Sequence, residues 1–244
     1  GEAVTVLSLT HGQETWDWLS ASPLFGITLT VAGYALGRWL HHRTGSPLFQ
    51  PVLVAIVVIV AVLKLGDISY ADYLNGGSFV AFWLGPATVA LALPLHHEWH
   101  LVRRAAVPVL TGVVVGTVVS ICAAILVTDL AGGNRELQLT MAPKAATTPV
   151  SLALSTQIGG IPALTAVLTI LAGITGAILG PWVLDRIGVR DPRARGISMG
   201  TVTHGIGTAR ALAESRTEGA FSALCMGLAA VATSVLVPIL VLWL

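Results

Sequence analysis

The sequence predicts an all-α polytopic membrane protein, and three observations carry that fold class: scarce charge, recurring apolar stretches of bilayer length, and tryptophans at their ends. Of 244 residues, 55% are hydrophobic and 10% charged, against about 25% charged in a soluble domain. Mean hydropathy is +0.83. So few charges do not coat a water-facing surface, and lipid is the solvent for much of this one. A spanning helix needs about 20 apolar residues. Clear candidates are Pro23–Leu40, Leu48–Leu65, Ala105–Val127, Ile161–Leu184 and Phe221–Leu244. Trp39, Trp99, Trp182 and Trp243 fall near their ends, where aromatic rings anchor at headgroup level.

The chain opens on a polar and aromatic stretch, Gly1–Ser22, without the basic n-region and cleavage site of a secretory signal peptide. Trp16 and Trp18 suit an interfacial segment there, residues 1–22. Three weaker stretches lie between the clear spans: Phe79–Leu95, Ala142–Ile158 and Gly196–Leu212, each studded with Gly, Pro, Thr or Ser. Broken backbone at membrane depth survives only when it is buried in protein or lines a cavity. The glycines of the spans (Gly112, Gly116, Gly173, Gly176, Gly180) are read as packing residues. Cys122 and Cys225 sit singly in apolar segments and are read the same way.

Two halves match at an offset of 115: Gly45-x-Pro47 with Gly160-x-Pro162, Thr88 with Thr203, Gly112 with Gly227. Residues 23–128 and 135–244 are therefore expected to be two transmembrane repeats, together about seven or eight segments with interrupted or re-entrant helices. Placing the Arg38/Arg43, Arg103/Arg104 and Arg186–Arg195 clusters on the cytoplasmic side makes the halves inverted. Secondary transporters show such duplication, with broken segments at corresponding positions; here these are Leu84–Pro94 and Met199–Ala209.

Among ionisable residues, Lys144, His204 and Arg210 fall in or beside apolar segments, while the acids are placed in the N-terminal stretch, loops and helix ends. A charge at bilayer depth costs at least ~2.5–3.5 kcal/mol and normally faces a cavity or partner. A basic set complements an anion, and Thr147, Thr148, Thr201, Thr203 and Thr208 supply hydroxyls around it. Each cation also has a structural reading: Lys144 snorkelling, Arg210 pairing with Glu214, His204 packing neutral against a hydroxyl. The net charge of +1 argues against a nucleic-acid binder. No metal-ligand set or acid/base pair points to an enzyme, and no cofactor is expected.

At these segments the chain resembles the LrgB/CidB family. Pro143-Lys144-Ala145-Ala146-Thr147-Thr148-Pro149, Gly200-Thr201-Val202-Thr203-His204-Gly205-Ile206-Gly207-Thr208-Ala209-Arg210 and Leu84-Gly85-Pro86-Ala87-Thr88 carry the likeness, from about Pro23 to the C-terminus. Ala145 departs from the usual Ser, and Val202-Thr203 from Ala-Ser. The resemblance implies a multi-pass protein of the bacterial inner membrane. It implies either a secondary transporter of small monocarboxylates (glycolate, glycerate, pyruvate) or an antiholin-like modulator of murein hydrolase export, working with a small LrgA/CidA-type partner. A homodimer is expected by analogy with elevator-type carriers. On the transporter reading the solute contacts are Lys144, Thr147, Thr148, Pro149, Thr203, His204, Gly205, Thr208, Arg210, Gly85 and Pro86. His204 is the candidate for proton coupling, since an unperturbed histidine titrates near neutrality.

Overall fold

The computed structural model describes residues 16, 18–45, 49–90 and 92–242, and among these it is helical throughout, without strands. Two compact units are present, Gly1–Val89 and Ala90–Leu244. The boundary falls inside the first sequence repeat. Trp243, Pro47 and most of segment 1–22 lie outside the described residues.

In the first unit, α1 (Pro23–Thr44) starts where the Ser22 side chain accepts from the Leu24 N–H and Pro23 supplies a preset φ. It stops at Gly45, whose φ of 62° suits glycine. α2 (Pro51–Leu65) and α3 (Tyr70–Phe82) pack on it. Gly26 and Gly76 let α1 and α3 backbones touch, and Gly37 does the same against Pro51. The Thr30 and Tyr73 hydroxyls bond across the α1–α3 contact at 2.8 Å. The short helix α4 (Leu84–Ala90) closes this unit.

The second unit runs through α5 (Ala92–His97), α6 (Trp99–Arg104), α7 (Ala106–Leu130), α8 (Arg135–Met141), α9 (Thr148–Ile158), α10 (Pro162–Arg186), α11 (Pro192–Glu214) and α12 (Arg216–Val241). Among the described residues, α7, α10 and α12 are the three helices long and apolar enough to cross a membrane. Seven or eight such spans were expected. The shortfall has a plain cause: α2 has 15 residues, ~22 Å of helix against a hydrocarbon core of ~30 Å. α1 has the length, at 22 residues, but not the sustained apolar character, and the remaining stretches are interrupted. Val107, Leu110, Val114, Val115, Val119 and Leu126 of α7 point outward and exposed, an apolar exterior suited to lipid.

α7 and α12 form the central seam. Every fourth residue is buried: Val109, Val113, Thr117, Ile121, Ile125 on one, Phe221, Cys225, Ala229, Thr233, Val237, Val241 on the other. Val109 and Val113 cluster with Phe221, Cys225 and Ala229, whereas Ile121 and Ile125 cluster with Val237 and Val241. The two helices therefore run parallel. They end the two sequence repeats, and inverted halves require them to run opposite ways, so this pair departs from the inversion read from charge bias.

Candidate functional site

α11 is the element on which the site is built. The Asp191 side chain caps it by accepting from the Arg193 N–H at 2.8 Å, and Pro192 occupies the first turn. The Arg193 guanidinium bonds the same carboxylate and holds its pKa down at about 2, so the cap stays charged at physiological pH. Helical geometry then breaks at His204, with φ 41° and ψ −140°. The break reverses the chain. Met199, before it, and Ala211, after it, sit in one buried cluster with Leu184. Gly196 packs on the Glu218 carbonyl, and Leu212 packs on Gly219. Residues sixteen apart in α11 thus meet the same turn of α12, and α11 is a helical hairpin with His204 at its tip.

The tip lies beside Gly205, which faces the Met226 sulfur. Met226 is ten residues into α12, ~15 Å at 1.5 Å per residue and about half the hydrocarbon thickness. α10 runs antiparallel to the hairpin's first arm: Gly180 meets Met199, Gly176 meets Thr203, and Gly173 meets the His204 ring. Gly112 and Gly116 of α7 likewise admit Ile197 and Thr201. All five glycines read as packing residues are packing residues.

At the tip, His204 Nε2 lies 2.9 Å from the Thr169 carbonyl. A carbonyl only accepts, so Nε2 carries the proton and Nδ1 is an acceptor in the neutral ring. The Thr208 hydroxyl donates to the His204 carbonyl at 2.8 Å and meets the Ser222 hydroxyl at 2.9 Å. Thr203 donates to the Met199 carbonyl. The Thr169 hydroxyl is buried and has no hydrogen-bond partner among the described residues, an exception among buried polar groups.

One turn along α10, Thr165 lies in a second hydroxyl cluster. Its Oγ is 2.7 Å from Ser155 Oγ, 3.0 Å from the Thr140 carbonyl and 3.1 Å from the Ile161 carbonyl. This cluster joins α8, α9 and the start of α10. Thr165→Val keeps the shape and leaves those groups short of a donor in a buried setting. The expected cost is about 1–3 kcal/mol, read as a lower unfolding midpoint of the detergent-purified chain.

The predicted residues fall into four places. Thr203, His204, Gly205 and Thr208 are at the hairpin tip. Lys144, Thr147, Thr148 and Pro149 are at the break between α8 and α9. There the Ser151 hydroxyl bonds the Pro143 carbonyl at 2.7 Å, and Thr147 starts α9 without a side-chain cap bond. Lys144 is half-buried with no ion pair among the described residues. No hydrogen bond or ion pair among the described residues joins the two breaks. Arg210 pairs with Glu214 at 2.5 Å, so its structural reading is the one realised. His204 bonds a carbonyl and not the hydroxyl that its structural reading supposed. Gly85 and Pro86 lie exposed in α4 of the first unit. A groove of about 590 Å³ opens by Cys122, Ile125, Asp129, Arg135, Gln138 and Leu240; none of the predicted residues lines it.

One correction concerns the acids. Glu218 is 4% exposed, and its Oε2 is 3.3 Å from Arg195 Nε. An acidic group therefore does sit buried in this region. Ser215-x-x-Glu218 before an apolar run was the available signal, a capping-box spacing. The Ser215 hydroxyl indeed accepts from the Glu218 N–H at 3.1 Å, but the Glu218 carboxylate turns to Arg195. Thr169 and Ser222 were missed because a lone hydroxyl in an apolar run carries no sequence signal.

Long apolar helices and a helical hairpin with a histidine tip make an all-helical protein suited to a lipid bilayer. The chain belongs to the LrgB-like family, whose sequence model matches residues 30–243. It is 38% identical over 218 residues to Bacillus subtilis (strain 168) "Uncharacterized protein YxaC", covering 89% of this chain and 94% of the relative. It is 33% identical to proteins named antiholin-like protein LrgB from Bacillus cereus (strain B4264) and Bacillus anthracis (strain CDC 684 / NRRL 3495), covering 89% of this chain and 95% of each relative. No solved structure matches.

Proposed function

We propose that the chain acts in the bacterial plasma membrane as an antiholin-like protein of the LrgB type, restraining murein hydrolase export and lysis. The observation that carries this reading is a 33% identity, over 89% of the chain, to relatives named antiholin-like protein LrgB. A small LrgA/CidA-type membrane protein is its expected partner, and a homodimer its assembly. The test is a strain lacking the gene: autolysis and secreted murein hydrolase activity rise, and the wild-type chain restores them. Unchanged autolysis in the deletion strain overturns the reading.

A second reading has a specific observation in its favour. His204 holds a backbone conformation that glycine adopts at lower cost, at the tip of a helical hairpin about midway along α12. Strained residues kept against such a cost concentrate at ligand and switch sites. Discontinuous helices meeting at mid-bilayer are where secondary transporters bind solute. On this reading the cargo is a small monocarboxylate of the glycolate, glycerate or pyruvate class. Thr147, Thr148 and the uncapped α9 N-terminus hold the carboxylate, Lys144 supplies charge, and the His204–Thr208 tip contacts the α-oxygen and carries a coupling proton.

Proteoliposomes of the purified chain separate the two. Saturable uptake of labelled glycolate or pyruvate, lost in His204→Ala and Thr148→Ala, supports transport. Leak that is non-saturable and indifferent to those changes overturns it. The two roles are compatible in one protein, and each assay stands alone.

A further inference from the structure

At the base of the α11 hairpin, three helices are tied by one arginine. Arg195, in the first turns of α11, reaches Asp185 at the end of α10 at 2.6 Å and Glu218 in the first turn of α12 at 3.3 Å. It also donates to the Val189 carbonyl at 3.2 Å. The two acids are unlike. The Asp185 side chain is 67% exposed and the Glu218 side chain 5% exposed. Glu218 Oε2 has Arg195, while Oε1 is buried and has no hydrogen-bond partner among the described residues.

A carboxylate oxygen out of water and without a donor is costly. The charges around it do not relieve it. One guanidinium faces two carboxylates, so the Asp185–Arg195–Glu218 set carries a net negative charge with both acids ionised. On α11, Arg210 and Glu214 are near enough to act on Glu218 electrostatically, but they are paired with each other at 2.5 Å. Arg216 lies two residues away on α12 itself.

We infer that Glu218 is a proton-binding site: as pH falls, its Oε1 takes a proton from hydronium at the hairpin base, leaving water, and this releases the bridge that clamps α11 to α12. The O–H bond forms at Oε1 and the proton returns to the same water on release. Protonation makes the three-residue set neutral, leaves Asp185 as the sole ionised partner of Arg195, and removes the charge that resists movement of the hairpin base through a low-dielectric setting. The inference rests neither on solute transport nor on lysis control. It gives either activity a pH dependence that does not need His204.

The test uses the full chain in nanodiscs. Acid-induced infrared difference spectra of the wild type should show a carbonyl band of a protonated, buried carboxylic acid. The band should vanish in Glu218→Gln and persist in Asp185→Asn. Amide hydrogen exchange of residues 192–203, corrected for intrinsic pH dependence, should rise several-fold with the same midpoint, and should be high and pH-independent in Glu218→Gln. A band that persists in Glu218→Gln, an absent band in the wild type, or exchange indifferent to pH overturns the assignment. Should Glu218→Gln not fold, Glu218→Asp replaces it: a shifted band or midpoint supports the assignment, and an unchanged one overturns it.

Discussion

His204→Gly is expected to be more stable than His204→Ala, the reverse of the usual order inside a helix. In a helix interior alanine is favoured over glycine by about 0.8–1.0 kcal/mol. At position 204 the backbone sits at φ 41°, ψ −140°, where an L side chain carries a strain of order 1–3 kcal/mol. Both variants lose the Nε2 bond to the Thr169 carbonyl, worth about 0.5–1.5 kcal/mol, and the buried ring. Alanine keeps the strain; glycine sheds it. A gap of about 1–2 kcal/mol in favour of glycine follows. Unfolding of the two purified variants in the same detergent measures it. Alanine at or above glycine in stability means that the tip is ordinary helix. Function discriminates further. Glycine keeps the hairpin and removes the imidazole, so loss of activity in His204→Gly assigns the role to the ring rather than to the fold.

The apolar stretches were legible as helices, though only three of them reach spanning length and apolarity among the described residues. All five clear stretches coincide with helices, α1, α2, α7, α10 and α12. The interruption of Gly196–Leu212 was legible too, from its glycines and hydroxyls. Its shape was not. A hairpin and a kinked rod have the same local composition, and the difference lies in one residue with positive φ and in what the two arms meet. Glycine next door, at 205, is the residue sequence rules would place there, yet the break sits on His204. Arg210 was ambiguous from spacing alone, since an i,i+4 partner and a solute both suit a cation. The Glu214 pair decides the first. Glu218 escaped notice because it stands just ahead of the apolar run, where acids are usually wet. Its burial depends on the hairpin folding back over it. The first-repeat residues Gly85 and Pro86 came from the resemblance and from the offset that sets Leu84–Pro94 opposite Met199–Ala209.

Gly200→Ala and Gly227→Ala should have opposite effects, and the contrast tests how closely the hairpin is seated. Helix propensity favours alanine at both positions by about 0.8–1.0 kcal/mol. Gly227 has nothing within 4 Å of where a Cβ would stand, so Gly227→Ala gains most of that amount. At Gly200 the same atom runs into the Ser222 backbone, 2.8 Å from its Cα and closer still to its carbonyl oxygen. Backbone cannot rotate aside as a flexible side chain does, and overpacking of this kind costs about 1–3 kcal/mol. A net loss of about 1–2 kcal/mol is expected for Gly200→Ala. The displacement also reaches the tip, because Ser222 is the residue whose hydroxyl meets Thr208 at 2.9 Å. Reduced activity should therefore accompany the lower unfolding midpoint in Gly200→Ala, while Gly227→Ala raises the midpoint and leaves activity alone. If the two glycines respond alike, the arms of α11 are not held against α12 at backbone contact, and the placement of His204 at a hairpin tip goes with them.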